Sequence, residues 1–403
     1  MKAWLRNPYV WCVVLRLALA FAMPRHMEGD SADYEMIASN LAAGHGISRC
    51  GAEPFAPTAQ RPPLYPLALA AVYLAGFGHD WGPILLNILF DLLSMFLAKA
   101  WAERLKLSFA PKVTWVIALC PLLITYGMYP TTENLSMTVF FAALLLTVQE
   151  RWALAGLAWG ALSLCRSYYL LFPFAMLLIP PLKKASRRSV AVLALTSLAL
   201  PGAWVARNRV VLGHAVFSQG STVGWQSFQG VCVANFDWWR PAHLQAMFDN
   251  PVMSKMIASH CADEDKLAAY DEKAKGVVAS CVREHPFQSA RNVLAKQVML
   301  FVNWGLFMPY NRVPFLLQQL VNALLFVYWW CAWKAVRSRK SRGAPGLGDA
   351  LRFSVLGVAY VVAVTLPFAV DARYLLGPFI TLLICVLEIR GGPKALVSRA
   401  LDG

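Results

Sequence analysis

Charge is what this sequence has least of. Only 15% of its 403 residues are Asp, Glu, Lys or Arg, against 58% hydrophobic residues, a balance far too apolar for a soluble globular chain. The sequence also lacks a Walker motif, a glycine-rich dinucleotide fingerprint, a Gly-x-Ser-x-Gly elbow and any zinc-like Cys/His spacing, which argues against soluble nucleotide-dependent chemistry. No internal repeat, low-complexity tract or basic–aromatic pattern suited to nucleic acid is present. His26, His45, His79 and His214 are scattered, and each reads as an interfacial hydrogen-bonding group rather than a metal ligand.

What the chain has instead is a series of long apolar runs, with a mean hydropathy of +0.49. A membrane span needs roughly 17 to 25 apolar residues, and runs near 8–24, 82–101, 110–128, 131–149, 152–166, 167–182, 189–206, 313–333, 351–369 and 374–390 qualify. The expected fold class is therefore an all-α polytopic membrane protein of about ten transmembrane helices with both termini inside. Met1 to Pro24 has the Lys2 and Arg6 of a signal peptide but no small-residue cleavage site, so it reads as an uncleaved first helix.

The net charge of +15 has a topological explanation. Arg104, Lys106 and Lys112, then Lys183, Lys184, Arg187 and Arg188, then Lys334 to Arg342 fall in short loops that the positive-inside rule places inside. If Leu64 to Gly76 also crossed, the first of these groups would be thrown outside. That run and Val293 to Met308 are therefore expected to lie along the outer surface as interfacial helices. The organisation follows as a core over 1–206 that includes an outer loop at 25–81, an extracytoplasmic subdomain with an interfacial helix over 207–312, and C-terminal helices with a short tail over 313–403. The subdomain holds a helical-looking stretch, Asp263 to Arg283, and the aromatics Trp225, Phe228, Trp238 and Trp239. Of nine cysteines, Cys12, Cys120, Cys165, Cys331 and Cys385 fall in apolar segments. Cys50, Cys232, Cys261 and Cys281 fall outside, where disulfides form; Cys261 with Cys281 is one pairing, though spacing does not set it.

With this topology the isolated polar residues collect on one face. The outer loop carries Asp30, Asp33 and Arg61, and Glu133, Arg166, Arg207 and Arg373 stand at outer ends of spans. Snorkelling would account for any single arginine, but several lone charges converging on one face point to a shared polar cavity. Within the loop, Tyr34, Ile37, Ala38 and Leu41 share one helical face. Asp30 precedes that helix and reads, taken alone, as its N-cap, Asp33 complements its dipole, and Gly44 closes it. Arg16 and Asp91 sit at similar mid-span depth in two helices and read as a buried structural ion pair.

These pieces, in this order, resemble the GT-C membrane glycosyltransferases, in the branch of protein O-mannosyltransferases and lipid A aminoarabinose transferases. The resemblance runs from Gly29 to about Pro378. It is carried by Gly29-Asp30 with Tyr34, the run Ala38 to Gly46, Arg61-Pro62-Pro63-Leu64-Tyr65-Pro66, Thr132-Glu133, Arg166, Trp204 with Arg207-Asn208 and Gly213, Gly224 with Gly230, and Ala372-Arg373-Tyr374. It implies a GT-C-type bundle and an inverting hexosyl- or pentosyltransferase in the cell (inner or plasma) membrane, which takes a sugar from a polyprenyl-phosphate carrier to an acceptor hydroxyl at the outer face. It also implies Asp30 as catalytic base, Arg61 and Arg373 as donor-phosphate ligands, and Glu133 as a second acid. Many of these relatives have Asp-Glu where this chain has Asp30-Ser31, so either Asp33 or Glu133 supplies the other acid. The long C-terminal soluble domain of some relatives has no counterpart here, which would pass acceptor recognition to 207–292.

The chemistry suits the residues independently. A hydroxyl is a poor nucleophile and needs a carboxylate to take its proton, while a lipid phosphate leaves as a stable anion that arginines can hold. The expected site therefore comprises Asp30, Asp33 and Glu133 as acids, Arg61, Arg373, Arg166, Tyr65 and Tyr374 around the donor phosphate, and Arg207, Asn208 and Tyr34 toward the acceptor or cavity. The expected partners are a polyprenyl-phosphate-linked sugar, an acceptor glycan, lipid or protein, and membrane lipids, with no nucleic acid. No metal ligands are assigned, and a divalent metal ion stays open as a cofactor. The rival readings are a polyprenyl-linked oligosaccharide polymerase or ligase, a lipid or solute transporter, and a non-catalytic subunit of an envelope complex.

Overall fold

Proline decides where the apolar runs break. In the computed structural model the expected span at 110–128 is not one helix but a 3₁₀ turn, Ala110–Lys112, followed by Val113–Ala118 and Pro121–Tyr126. Cys120 stands extended at φ −66° and ψ 113° before Pro121, because a proline lacks the N–H to continue the ladder and its ring excludes helical geometry at the preceding residue. The structure describes residues 3–22, 29–176, 185–218, 221–233, 249–258, 264–302, 346–366 and 372–401. The expected span at 313–333, residues 177–182 of that at 167–182 and the interfacial run beyond Val302 lie outside these residues, and the described part of 167–182 is a 3₁₀ turn, Ser167–Tyr169, and a short helix, Phe172–Ala175, rather than one helix.

Among the described residues the protein is all-α, with one isolated β-bridge between Ser48 and Pro57. Its principal helices are α1 (Pro8–Ala22), α2 (Asp30–Ala42), α3 (Leu64–Leu74), α4 (Gly82–Arg104), α5 (Glu133–Val148), α6 (Trp152–Ser163), α7 (Arg187–Leu212), α8 (Glu264–Glu284), α9 (Pro286–Val302), α10 (Leu347–Thr365) and α11 (Leu376–Leu401). Helices α4, α7 and α10 are each long and apolar enough to cross a membrane, and α1, α3, α5, α6 and the 376–388 part of α11 are shorter apolar helices. The 11 residues of α3 reach only about 16 Å at 1.5 Å per residue, half of a ~30 Å hydrocarbon core. With the apolar composition, these helices make the chain a membrane protein.

Two devices hold the bundle. Gly156 and Gly160 on α6 let α7 approach so closely that an added Cβ would lie 2.5 Å from the Leu193 carbonyl and 2.6 Å from that of Ser197, the close packing that small residues four apart allow between membrane helices. Deeper in, Arg16 of α1 meets Asp91 of α4 at 2.5 Å with both side chains fully buried, as the matched depth of the two residues predicts. Arg16 also donates to the carbonyls of Cys12 (3.1 Å) and Ala118 (3.0 Å). Asn134 donates to the same Asp91 oxygen at 2.8 Å, so the sealed pair fixes the first turn of α5, where Glu133 stands.

Candidate functional site

The loop between α1 and α4 gathers charge by folding back on α2. Gly29, at φ 56°, occupies the N-cap with no side-chain cap, and Asp30 is the first helical residue. This corrects the expected N-cap role of Asp30: the positive φ that glycine tolerates turns the chain, and the Asp30 carboxylate is left for a distant partner. That partner is Arg61, whose Nη2 lies 2.7 Å from Asp30 Oδ1 and 2.6 Å from Asp33 Oδ2. Arg61 Nε also donates to Asp33 Oδ2 at 2.9 Å. On the other side Arg49 donates to Asp33 Oδ1 from Nε (2.9 Å) and Nη2 (2.5 Å).

Asp33 is therefore clamped between two guanidiniums, one on each oxygen. Asp30 is the more exposed acid, at 28% against 15%. Burial works against the Arg61 charge, but Asp30 and Asp33 outweigh it and hold the guanidinium pKa above its usual value. Arg49 is the residue that the sequence reading missed. Its only signal is a lone charge in a loop otherwise accounted for. Asn40 holds that loop in place, donating to the carbonyls of Ser48 and Cys50 at 2.9 Å each.

Tyr34 connects this cluster to the bundle. It is buried on the face of α2 shared with Ile37 and Ala38, as the helical periodicity predicts, and Arg61 lies 5.7 Å over its ring. Burial pushes its hydroxyl up to about 12, with Arg61 pulling the other way and the charges of Arg166 and Glu133 also reaching it. Tyr34 meets Tyr65 edge-on at 5.6 Å and shares a buried apolar cluster with Leu135 and Cys165. Those two residues flank the second polar pair, in which Arg166 Nη2 bonds Glu133 Oε1. The loop is tied directly to the end of α6 by the amide of Leu64, which donates to the Leu164 carbonyl at 3.1 Å.

The remaining expected residues have distinct placements. Arg166 lies 6.0 Å over the ring of Tyr374, and Tyr374 packs on Tyr168 at 5.2 Å. The side chain of Arg373 lies outside the described residues. Tyr65 is wholly buried and its hydroxyl donates to Asn87 Oδ1 at 3.3 Å, while Asn87 donates to the Tyr129 carbonyl at 2.8 Å. Tyr65 thus supports the segment leading to Glu133. Arg207 donates to the Thr58 carbonyl (3.2 Å) and stacks 5.0 Å over Trp204. Buried Asn208 donates to the Val216 carbonyl at 2.8 Å. Both pin loop backbone to α7, so their polar atoms are directed to the fold.

A second group stands behind the cluster. Tyr73 donates to Glu35 Oε2, and His79 Nδ1 lies 2.5 Å from Glu35 Oε1, which latches α2 to α3. Among the described residues no group of three or more His, Cys, Asp or Glu side chains could hold a metal ion. Asp30 and Asp33 face arginines, which compete with a cation for the same oxygens.

No protein-family model and no curated protein sequence is similar to this chain. Among solved structures, the crystal structure of ArnT from Cupriavidus metallidurans bound to undecaprenyl phosphate matches 96% of this chain and 78% of its own, at 16% identity and a TM-score of 0.37. The same protein in the apo state matches 93% and 76%, at 15% identity and a TM-score of 0.35. Similarity at this level leaves the functional reading to the residues of the chain itself.

Proposed function

We propose that the protein is an integral-membrane glycosyltransferase that moves a sugar from a polyprenyl-phosphate carrier to an acceptor hydroxyl at the extracytoplasmic face, with inversion. The observation that carries this reading is the unequal treatment of two neighbouring carboxylates. Asp33 has a guanidinium on each oxygen, so its lone pairs are engaged and it serves to position Arg61. Asp30 shares Arg61 with it and is the more exposed of the two, which suits a group that must accept a proton within hydrogen-bond reach of an incoming hydroxyl.

In this mechanism the acceptor oxygen bonds to the anomeric carbon while Asp30 takes its proton. The bond from that carbon to the carrier phosphate breaks, and its electron pair stays on the phosphate. Attack opposite the leaving group inverts the centre. The charge that develops on the phosphate oxygen needs donors already in place. Arg61 spends Nε and Nη2 on the aspartates and would meet a phosphate through Nη1, with Arg373 as a second ligand. Glu133 holds Arg166 near Tyr374, which supports a role for this pair at the cavity wall.

The test is donor consumption by membranes containing the protein, offered polyprenyl-phosphate sugars, polyprenyl-diphosphate sugars and nucleotide sugars in turn. Consumption of a monophosphate-linked donor alone is the expected result. Use of a diphosphate-linked oligosaccharide would move the protein to the polymerase and ligase class, and consumption of none would remove the enzyme reading.

A further inference from the structure

The end of the bundle away from the outer loop holds a second polar site. The chain enters α1 at Pro8 and leaves it at Ala22 for the loop that carries Asp30, then leaves that loop at Gly82 and ends α4 at Arg104. The start of α1 and the last turns of α4 therefore share the opposite end. Between them and the segment leading into Val113–Ala118 lies a cleft of about 380 Å³, whose lining includes Arg6, Asn7, Tyr9, Lys99, Pro111 and Thr114. Arg6 and Lys99 bring positive charge to it, and its described lining holds no Asp or Glu. Arg6 closes the 3₁₀ turn Ala3–Arg6, and Lys99 belongs to α4. The Tyr9 amide donates to Asn7 Oδ1 at 2.9 Å, which fixes that side chain with its Nδ2 as a donor group. Thr114, a buried residue, adds a hydroxyl. Glu103 stands 3.6 Å from Lys99 with both side chains exposed, an ion pair of the kind that contributes little.

Depth and an apolar stripe point to what fills the cleft. Lys99 lies about 26 Å along α4 from Gly82 at 1.5 Å per residue, close to the full thickness of a ~30 Å hydrocarbon core, so the cleft stands at headgroup depth. The exposed residues Leu85, Leu89, Leu93 and Phe96 follow one another at three- and four-residue steps along a face of α4 that ends on Lys99. An acyl chain laid on this stripe brings its headgroup to the ammonium. Snorkelling would carry either cation to this depth, but it accounts neither for the cleft that they share nor for the stripe that leads into it. We propose that the cleft binds the phosphate of an anionic phospholipid in the leaflet opposite the outer loop. Arg6 takes two phosphate oxygens with its planar fork, and Lys99 exchanges Glu103 for the same phosphate. The Asn7 amide and the Thr114 hydroxyl supply further donors. A zwitterionic headgroup would bring its own cation to the two already present. The bound lipid clamps the start of α1 to the end of α4.

Full-length protein in detergent is titrated with phosphatidylglycerol, phosphatidylcholine or inorganic phosphate, and bound molecules are counted by native mass spectrometry. The expected result is a phosphatidylglycerol held more tightly than phosphatidylcholine and not displaced by inorganic phosphate. With each cation near a charged headgroup worth about fivefold, Arg6→Gln with Lys99→Gln should weaken that binding about 30-fold. Arg187→Gln with Arg188→Gln removes two exposed cations from another loop and should change it by about twofold or less, since distant surface charges are screened. Equal losses in the two double variants would make the effect one of diffuse surface charge and overturn the site. Phosphatidylcholine bound as tightly as phosphatidylglycerol overturns the anionic headgroup, and displacement by inorganic phosphate overturns the lipid in favour of a free-phosphate site. If the Arg6 and Lys99 double variant does not accumulate, Lys99→Gln alone decides, with a loss of about fivefold expected and unchanged binding counting against the proposal. Donor turnover enters no arm, so the result is independent of the proposed sugar transfer.

Discussion

Arg16 and Asp91 meet at 2.5 Å with 1% and 0% of their side chains exposed, whereas Arg61 meets Asp30 at 2.7 Å with 24% and 28% exposed. The two contacts have the same chemistry and opposite surroundings. Around the first, helix carbonyls accept from Arg16 and Asn134 donates to one Asp91 oxygen, and the packing of α1 on α4 and on Val113–Ala118 closes over it. Around the second, two acids share arginines in a loop that is open on one side. A sealed pair is worth keeping intact because breaking it strands a charge. An open cluster can exchange one partner for a substrate group at little cost, because water already reaches it. Burial therefore assigns the first pair to architecture and makes the second available for chemistry.

The sharpest way to break this contrast is to remove one member of the sealed pair. Asp91→Ala leaves Arg16 buried without its anion, and a loss of about 3–5 kcal/mol is expected. It would read as a collapse of the detergent-solubilised thermal midpoint and of membrane accumulation. Arg16→Met with Asp91→Leu should recover most of that loss, since no stranded charge remains. If the double variant is as unstable as the single one, the pair has a role beyond satisfying itself.

In the open cluster the expected effects on stability are smaller. Asp33→Asn takes the shared anion from Arg49 and Arg61, and about 1.5–3 kcal/mol of loop stability should go with it. The measurement is hydrogen exchange over α2 and residues 47–61, where faster exchange is expected while α4 and α5 stay protected. Arg49→Lys keeps the charge but loses the planar fork, and a change of about 1 kcal/mol or less is expected by the same readout. Exchange unchanged in both variants would mean that the clamp on Asp33 does not order the loop.

Much of the loop could be read before the structure, and the reasons are local. Tyr34, Ile37, Ala38 and Leu41 repeat at helical spacing, and the burial of the first three, with Leu41 partly covered beside them, follows from that. Arg16 and Asp91 were visible as lone charges at equal depth in apolar helices. The break of the span at 110–128 was signalled by Pro121, but long hydrophobicity masks a proline when only composition is counted. Arg49 was not legible, because its partner is set by how the chain folds back after Gly46. The Gly156 and Gly160 contact with α7 requires knowing which helix is the neighbour.

The most direct test of the contrast is to measure thermal midpoint and donor turnover on one preparation of Asp30→Asn protein. The predicted result is a midpoint close to wild type with donor turnover lowered by about 10²–10⁴-fold, the usual scale for loss of a positioned base. Wild-type turnover in a stable Asp30→Asn protein would contradict the assignment of the open cluster to chemistry.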